Sequence, residues 1–153
     1  HPTRSPLGHS AARGAEPPAA PIEGDAWGES PDYRRGVALF NAGYYWEAHE
    51  AWERLWHAHG RAGPTAALLK ALIKLAAAGV KVREGQPRGV ATHAARAAGL
   101  IEDARREVGE RCLGLDLGLL ADRARRIADA PPADPGPPGA RVTRVFDFDL
   151  LPR

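Results

Sequence analysis

The chain has 153 residues, the length of a single domain, and carries 21 Lys and Arg against 19 Asp and Glu for a net charge of +2. Its one cysteine, Cys112, excludes an internal disulfide framework and a cysteine-based zinc site. The longest apolar stretch, Leu68–Val80, is interrupted by Lys70 and Lys74 and so excludes a membrane span.

Residues 1–22 mix Pro, Ala, Arg and Gly with almost no bulky apolar side chain. Such a segment lacks the apolar surface needed to offset ordering entropy, so a disordered arm is expected over residues 1–29. No continuous apolar run of signal-peptide length occurs there, and a cytoplasmic location is the default expectation. Five helical patterns follow. The first opens at Ser30-Pro31, an N-cap followed by Pro at the first helical position, and stops at Gly43. The second runs over Tyr44–His59, and the third starts after Gly63-Pro64-Thr65 and runs to Glu84, with Gly85 as its stop signal. The fourth spans Pro87–Val108 and the fifth Leu117–Asp129, with Asp116 as its cap. Short loops predict antiparallel neighbours, hence an all-α, compact bundle over residues 30–130. Residues 131–139 are rich in Pro and Gly and read as a linker. Beyond it Val142, Val145, Phe146, Phe148 and Leu150 alternate loosely, which predicts an extended tail laid across the bundle within residues 131–153.

The second helix carries the chemistry-bearing residues. At 100° per residue, Leu55, Ala48, Trp52, Tyr45 and Trp56 form one aromatic and apolar arc. His49 and Glu53 fall beside Trp46 within the aromatic side, with Glu50 at its edge and Glu47 on the far side. His49 and Glu53 are one turn apart, so their side chains point the same way. Three readings remain open. The pair can be structural, with the imidazole and carboxylate satisfying one another. It can be a metal site, since His49-Glu50-x-x-Glu53 offers two ligands at i, i+4. No third ligand follows, so no metal site is assigned and His49 and Glu53 are its only candidates. It can also be a small-ligand or acid–base pocket without metal.

On the third helix Lys70, Lys74 and Lys81 form one narrow stripe opposite Leu68, Leu69, Leu72 and Leu75. The bland expectation is a solvated row. The sharper one turns Lys70 or Lys74 toward Glu50 or Glu53 and holds that carboxylate ionised. On the fourth helix Val90, Ala94, Ala97, Ile101, Ala104 and Val108 form a small-residue face, with His93 at its margin, expected as a satisfied core or rim residue and not as a ligand. Arg residues on the fourth and fifth helices are interleaved with Asp and Glu, a solvated face and not a nucleic-acid stripe.

The run Phe40-Asn41-Ala42-Gly43-Tyr44-Tyr45-Trp46-Glu47-Ala48-His49-Glu50-Ala51-Trp52-Glu53-Arg54-Leu55-Trp56 resembles the signature of the family catalogued as domain of unknown function 309. Lys70-Ala71-Leu72-Ile73-Lys74-Leu75-Ala76-Ala77-Ala78 resembles its second signature, and Gly85-x-Pro87-x-Gly89 the turn that follows. The likeness covers roughly residues 32–108. It implies a compact helical bundle and no particular reaction. Lys74 stands where the family often has Gln, and Ala71 where it often has Gly. Asn41-Ala42-Gly43 lies at a helix corner, and the favoured role for Asn41 is corner geometry.

The expected function is binding of a small molecule or metal through Tyr45, His49, Glu50, Glu53 and Lys74. The alternative is a non-enzymatic interaction or structural module in which the cluster only stabilises the fold. No complete catalytic set is present. If the chain is an enzyme, these groups supply hydrolase-like acid–base chemistry. No cofactor is specified. A small-molecule ligand and, given four Trp in a small bundle, a second copy of the chain are the expected partners.

Overall fold

A computed structural model of the protein describes residues 18–134 and 144–153. Five helices are present among them: α1 Pro31–Ala42, α2 Tyr45–Ala58, α3 Pro64–Arg83, α4 Pro87–Val108 and α5 Leu117–Asp129. All five lie where the periodicity predicts them, within two residues at each end. The local chemistry explains why. Ser30 accepts the Tyr33 N–H at 3.2 Å, and Pro31, Pro64 and Pro87 each sit in the first turn of a helix. Asp116 accepts the Leu119 N–H at 3.0 Å to cap α5. Gly43 ends α1 in the left-handed conformation, φ 93°, and Tyr44 N–H then reaches back to the Leu39 carbonyl.

Each helix packs on its neighbours in sequence, α1 on α2 through to α4 on α5. The central α3 is apolar nearly all round, as a helix between two others must be. Two close approaches set the α1–α2–α3 geometry. The Trp52 indole lies against the bare backbone of Gly36, and its N–H donates to the Tyr33 carbonyl at 3.4 Å. The Tyr45 ring lies in the same way on Gly79 of α3. No side chain larger than hydrogen fits at either glycine.

The strands β1 Arg111–Cys112 and β2 Leu115–Asp116 form a minimal antiparallel hairpin that no sequence pattern announced. Leu113 and Gly114 both have positive φ, 53° and 74°, which gives a two-residue turn of the twist hairpins favour. Tyr33 pins it by donating its hydroxyl to the Leu113 carbonyl at 2.7 Å.

Packing along the row does not bring α1 and α5 together extensively. The segment 144–153 spans that seam. It has no helix or strand, and its residues alternate: Phe146, Phe148 and Leu150 are buried while Asp147, Asp149 and Leu151 are exposed. The extended tail expected from sequence is therefore part of the core. Residues 135–143, which include most of the expected linker 131–139, and arm residues 1–17 lie outside the described residues. The expected arm needs correction at its inner end. Within residues 18–29, Ile22 is buried, Ala26–Glu29 form a turn of 3-10 helix, and Trp27 packs edge-on to Tyr33. Two apolar side chains, few as they are, seat the segment because a ready-made surface receives them.

A Cβ added at Gly36 would stand 2.1 Å from the Trp52 ring nitrogen. Gly36→Ala is therefore expected to lower the free energy of unfolding by about 1–3 kcal/mol, the usual range for overpacking a core, measured by urea denaturation.

Candidate functional site

The buried arc of α2 is Tyr45, Ala48, Ala51, Trp52 and Leu55. It extends through Ala51, where a small side chain lets neighbouring helices approach, and not toward Glu53. His49 is consequently half-buried at the margin and Glu53 is exposed, a correction to their expected place inside the aromatic face. The His49 ring stacks on Trp46, with centroids 5.1 Å apart and planes 6° from parallel. Glu50 is half-buried a step further round.

Opposite them, α3 presents Lys70, Lys74 and Lys81, all half-buried, so the stripe is not a fully solvated row. Lys70 places its ammonium over the Trp56 ring, 4.1 Å from the centroid. Lys81 pairs with Glu84 at 3.1 Å. Lys74 is perturbed by its surroundings. Burial, and then the charges of Lys70 and Arg96, lower its pKa, while Glu53 opposes the shift. Of the two carboxylates expected to face the stripe, the one acting on Lys74 is Glu53. His93 of α4 joins the group. Its pKa is lowered by burial, then by Lys74, Lys81 and His49.

The site is thus His49 and Glu53 from α2, Lys70 and Lys74 from α3, and His93 and Arg96 from α4. Sequence reasoning missed the last two, because helix–helix register, not residue pattern, places them here. Tyr45 belongs elsewhere. Its ring meets Phe40 and Phe146, and its hydroxyl accepts the Val145 N–H at 2.9 Å. Burial raises its pKa, so the hydroxyl stays protonated.

Asn41 also has a different role from the corner geometry expected of it. Among the described residues, positive φ outside glycine occurs only at Arg61 and Leu113, so Asn41 is an ordinary helical residue. Its amide instead grips the peptide backbone of Leu150 twice, donating to the carbonyl and accepting from the N–H, each at 2.8 Å. The usable signal was its place one helical position after buried Phe40, pointing off the last turn of α1.

No group of three or more His, Cys, Asp or Glu among the described residues is placed to hold a metal ion, so His49 and Glu53 gain no third ligand. Two clefts flank the tail. One, of about 310 Å³, lies between Arg111, Leu119, Leu120 and Arg123 on one side and Phe148–Leu151 on the other. The second, of about 330 Å³, lies between Arg126, Ile127 and Val145–Phe148. Neither is lined by His49, Glu50, Glu53 or Lys74. Several arginines on α4 and α5 are paired with carboxylates, among them Arg105 with Glu102 and Glu110, and Arg125 with Asp122. No described helix is long and apolar enough to cross a membrane.

Two histidines make stability depend on pH. His59 Nε2 accepts the Ile22 N–H at 3.0 Å, which needs an unprotonated nitrogen, and burial lowers its pKa against the opposing charge of Glu23. His93 is lowered in the same direction. Both ordinarily titrate at 6.5. The unfolded chain therefore takes up protons first as pH falls. The stability from these groups is present above pH 6.5 and lost below it. Urea midpoints are expected to fall between pH 7.5 and pH 5, and less so in the double variant His59→Gln, His93→Gln.

No curated protein matches the chain. Residues 33–93 match the family model described as a domain of unknown function, DUF309. That stretch takes in nearly all of α1, the whole of α2 and α3, and the start of α4, and it holds Phe40, Asn41, Tyr45, His49, Glu53, Lys74 and His93. Over residues 33–93 the chain is thus similar to the DUF309 family, as its two signatures implied.

Proposed function

We propose that the cluster of His49, Glu53, Lys74 and His93 binds a small anionic molecule. The observation that supports this reading is the crowding of cationic groups from three helices around a half-buried position. Burial and then the charges of Lys70 and Arg96 lower the basicity of Lys74, and burial and then Lys74, Lys81 and His49 lower that of His93. Glu53 is the carboxylate that offsets this at Lys74. A phosphate or carboxylate seated there would relieve the repulsion and draw hydrogen bonds from Lys74 and Arg96. The stacked Trp46–His49 pair offers a flat apolar wall beside it. Glu53 is placed to accept from a ligand hydroxyl, and Glu50 lies at the edge. Tyr45 is not part of this set. Any proton transfer to a bound ligand would run through His93 or Lys74, the two groups of the cluster whose basicity is lowered. With no nucleophile paired to a base among these residues, binding is the function assigned and no reaction is.

The test uses inorganic phosphate and pyrophosphate, followed by thermal shift and titration calorimetry. Each is expected to raise the melting temperature of the protein and to bind more tightly at pH 6 than at pH 7.5, because a bound anion favours the imidazolium of His93. Lys74→Gln is expected to weaken binding about tenfold, the loss of one charge-assisted hydrogen bond. Without anion, the same variant should be as stable as the wild type or more so, since it removes a repelled charge. A destabilised Lys74→Gln, with no anion-dependent shift in either protein, would instead assign the cluster a purely structural role.

A further inference from the structure

Residues 144–153 form a strap that buries Phe146, Phe148 and Leu150 and is a fixed part of the fold. Where it passes the start of α5 it walls one side of the cleft of about 310 Å³, with α5 and the β1–β2 hairpin on the other. That volume is at the small end of the range for ligand clefts, about 300–1,000 Å³. Its lining combines two features. The first is apolar. α5 buries Leu117, Leu120, Ala121, Ala124 and Ile127, and Leu119 lies off that face. Leu119 is 49% exposed and Leu151 63%, two of the four large exposed apolar side chains among the described residues, and both line this cleft. A single exposed leucine is ordinary, but two on one concave surface beside the Phe148 ring mark a binding surface.

The second feature is charge. Both carboxylates of the lining are engaged: Asp116 caps α5 through the Leu119 N–H, and Asp149 pairs with Arg144. The arginines are not matched in this way. Arg123 is half-buried with its guanidinium 4.7 Å from the Phe148 ring centroid, and Arg111 donates to the Gly114 carbonyl at 2.7 Å. Among the described residues neither forms an ion pair with a carboxylate side chain, whereas Arg105, Arg106 and Arg125 all do. A guanidinium resting on a ring face spends no N–H there, so its fork stays available to a planar acceptor. We propose that this cleft binds a small amphipathic carboxylate, its head on Arg123 and Arg111 and its short apolar body along Leu119 and Leu151. An inorganic anion would leave the leucines in water, and a neutral apolar molecule would leave the guanidinium charge uncompensated. The volume suits a short free acid and not a two-chain lipid. This site shares no residue with the cluster of His49, Glu53, Lys74 and His93.

The experiment titrates the isotope-labelled full chain with octanoate and with phenylacetate, followed by NMR and calorimetry. Both acids are expected to bind saturably and to shift the amides of Leu119, Leu120, Arg123, Leu150 and Leu151. Octanol keeps the apolar body without the charge and should bind about tenfold more weakly or worse. Octylamine, with the opposite charge, should not bind. Arg123→Gln should weaken octanoate about tenfold by removing a charge-assisted hydrogen bond. Leu119→Ser should weaken it about tenfold as well, through the apolar area no longer covered. Because Leu119 lies off the buried face of α5, that variant keeps the test open should Arg123→Gln fail to fold. Lys74→Gln should leave octanoate affinity unchanged, and Arg123→Gln should leave phosphate affinity unchanged, so the two sites succeed or fail separately.

Octanol binding as tightly as octanoate would overturn the proposal by reducing the cleft to an apolar surface. Octanoate shifts confined to residues around His49, Lys74 and His93 would overturn it too, as would an octanoate affinity unchanged in folded Leu119→Ser. Absence of saturable binding of either acid at millimolar concentration would sink the idea outright. Phosphatidylglycerol vesicles supply the last comparison. Cosedimentation with them, lost in Leu119→Ser and accompanied by no binding of free octanoate, would make a lipid surface the partner and refute the free acid.

Discussion

Phe40 meets four aromatic rings, Tyr45, Trp52, Phe146 and Phe148, and the rest of the molecule depends on that meeting. The ring sits on the last turn of α1. Tyr45 and Trp52 come from the next helix, and Phe146 and Phe148 from the far end of the chain. A row of helices in which each packs on its neighbour has two free ends, and burying Phe40 requires something to cover the first of them. The strap does so. Aromatic pairs of this kind add about 0.5–1.5 kcal/mol each beyond the area they bury, so the cluster favours one geometry as well as apolar contact.

Glycine makes the close approaches possible. Trp52 against Gly36 and Tyr45 against Gly79 bring aromatic rings onto helix backbones, which fixes the angle of α2 against both neighbours. One consequence is that the polar margin of α2 is turned toward α3 and α4 at a set height. His49 and Glu53 then share a neighbourhood with Lys74 and His93 that no single helix could create. The aromatic cluster around Phe40 and the cationic cluster are accordingly two faces of one arrangement. The same α2 supplies Tyr45 to the first and His49 to the second.

Much of this was legible in the chain itself. Helix number and ends followed from caps, first-turn prolines and terminal glycines, because those signals act through bonds within a few residues. The tail was legible as extended for the same reason: alternation has a period of two only in extended backbone. The Glu53–Lys74 relation was half legible, since the antiparallel packing of α2 and α3 brings the Lys stripe toward the acidic edge of α2. Which Lys met which Glu depended on how far α3 slides along α2, and that is decided by the Gly79–Tyr45 contact.

The residues Phe40 to Trp56 determined by themselves that a helix, a glycine corner and a second helix would follow one another, and that the ionisable groups would sit near aromatic ones. Tertiary structure alone decided what those groups do. It moved Glu53 out to solvent, took Tyr45 from the candidate site to the strap, and recruited His93 and Arg96 from α4. It also turned Asn41 from a corner residue into a clamp on Leu150, 109 residues away in sequence. The physical reason is range. Hydrogen bonds along a helix and the periodicity of its faces are set by neighbours within a turn. Burial, desolvation and the partner of a side-chain amide are set by whatever chain arrives from elsewhere.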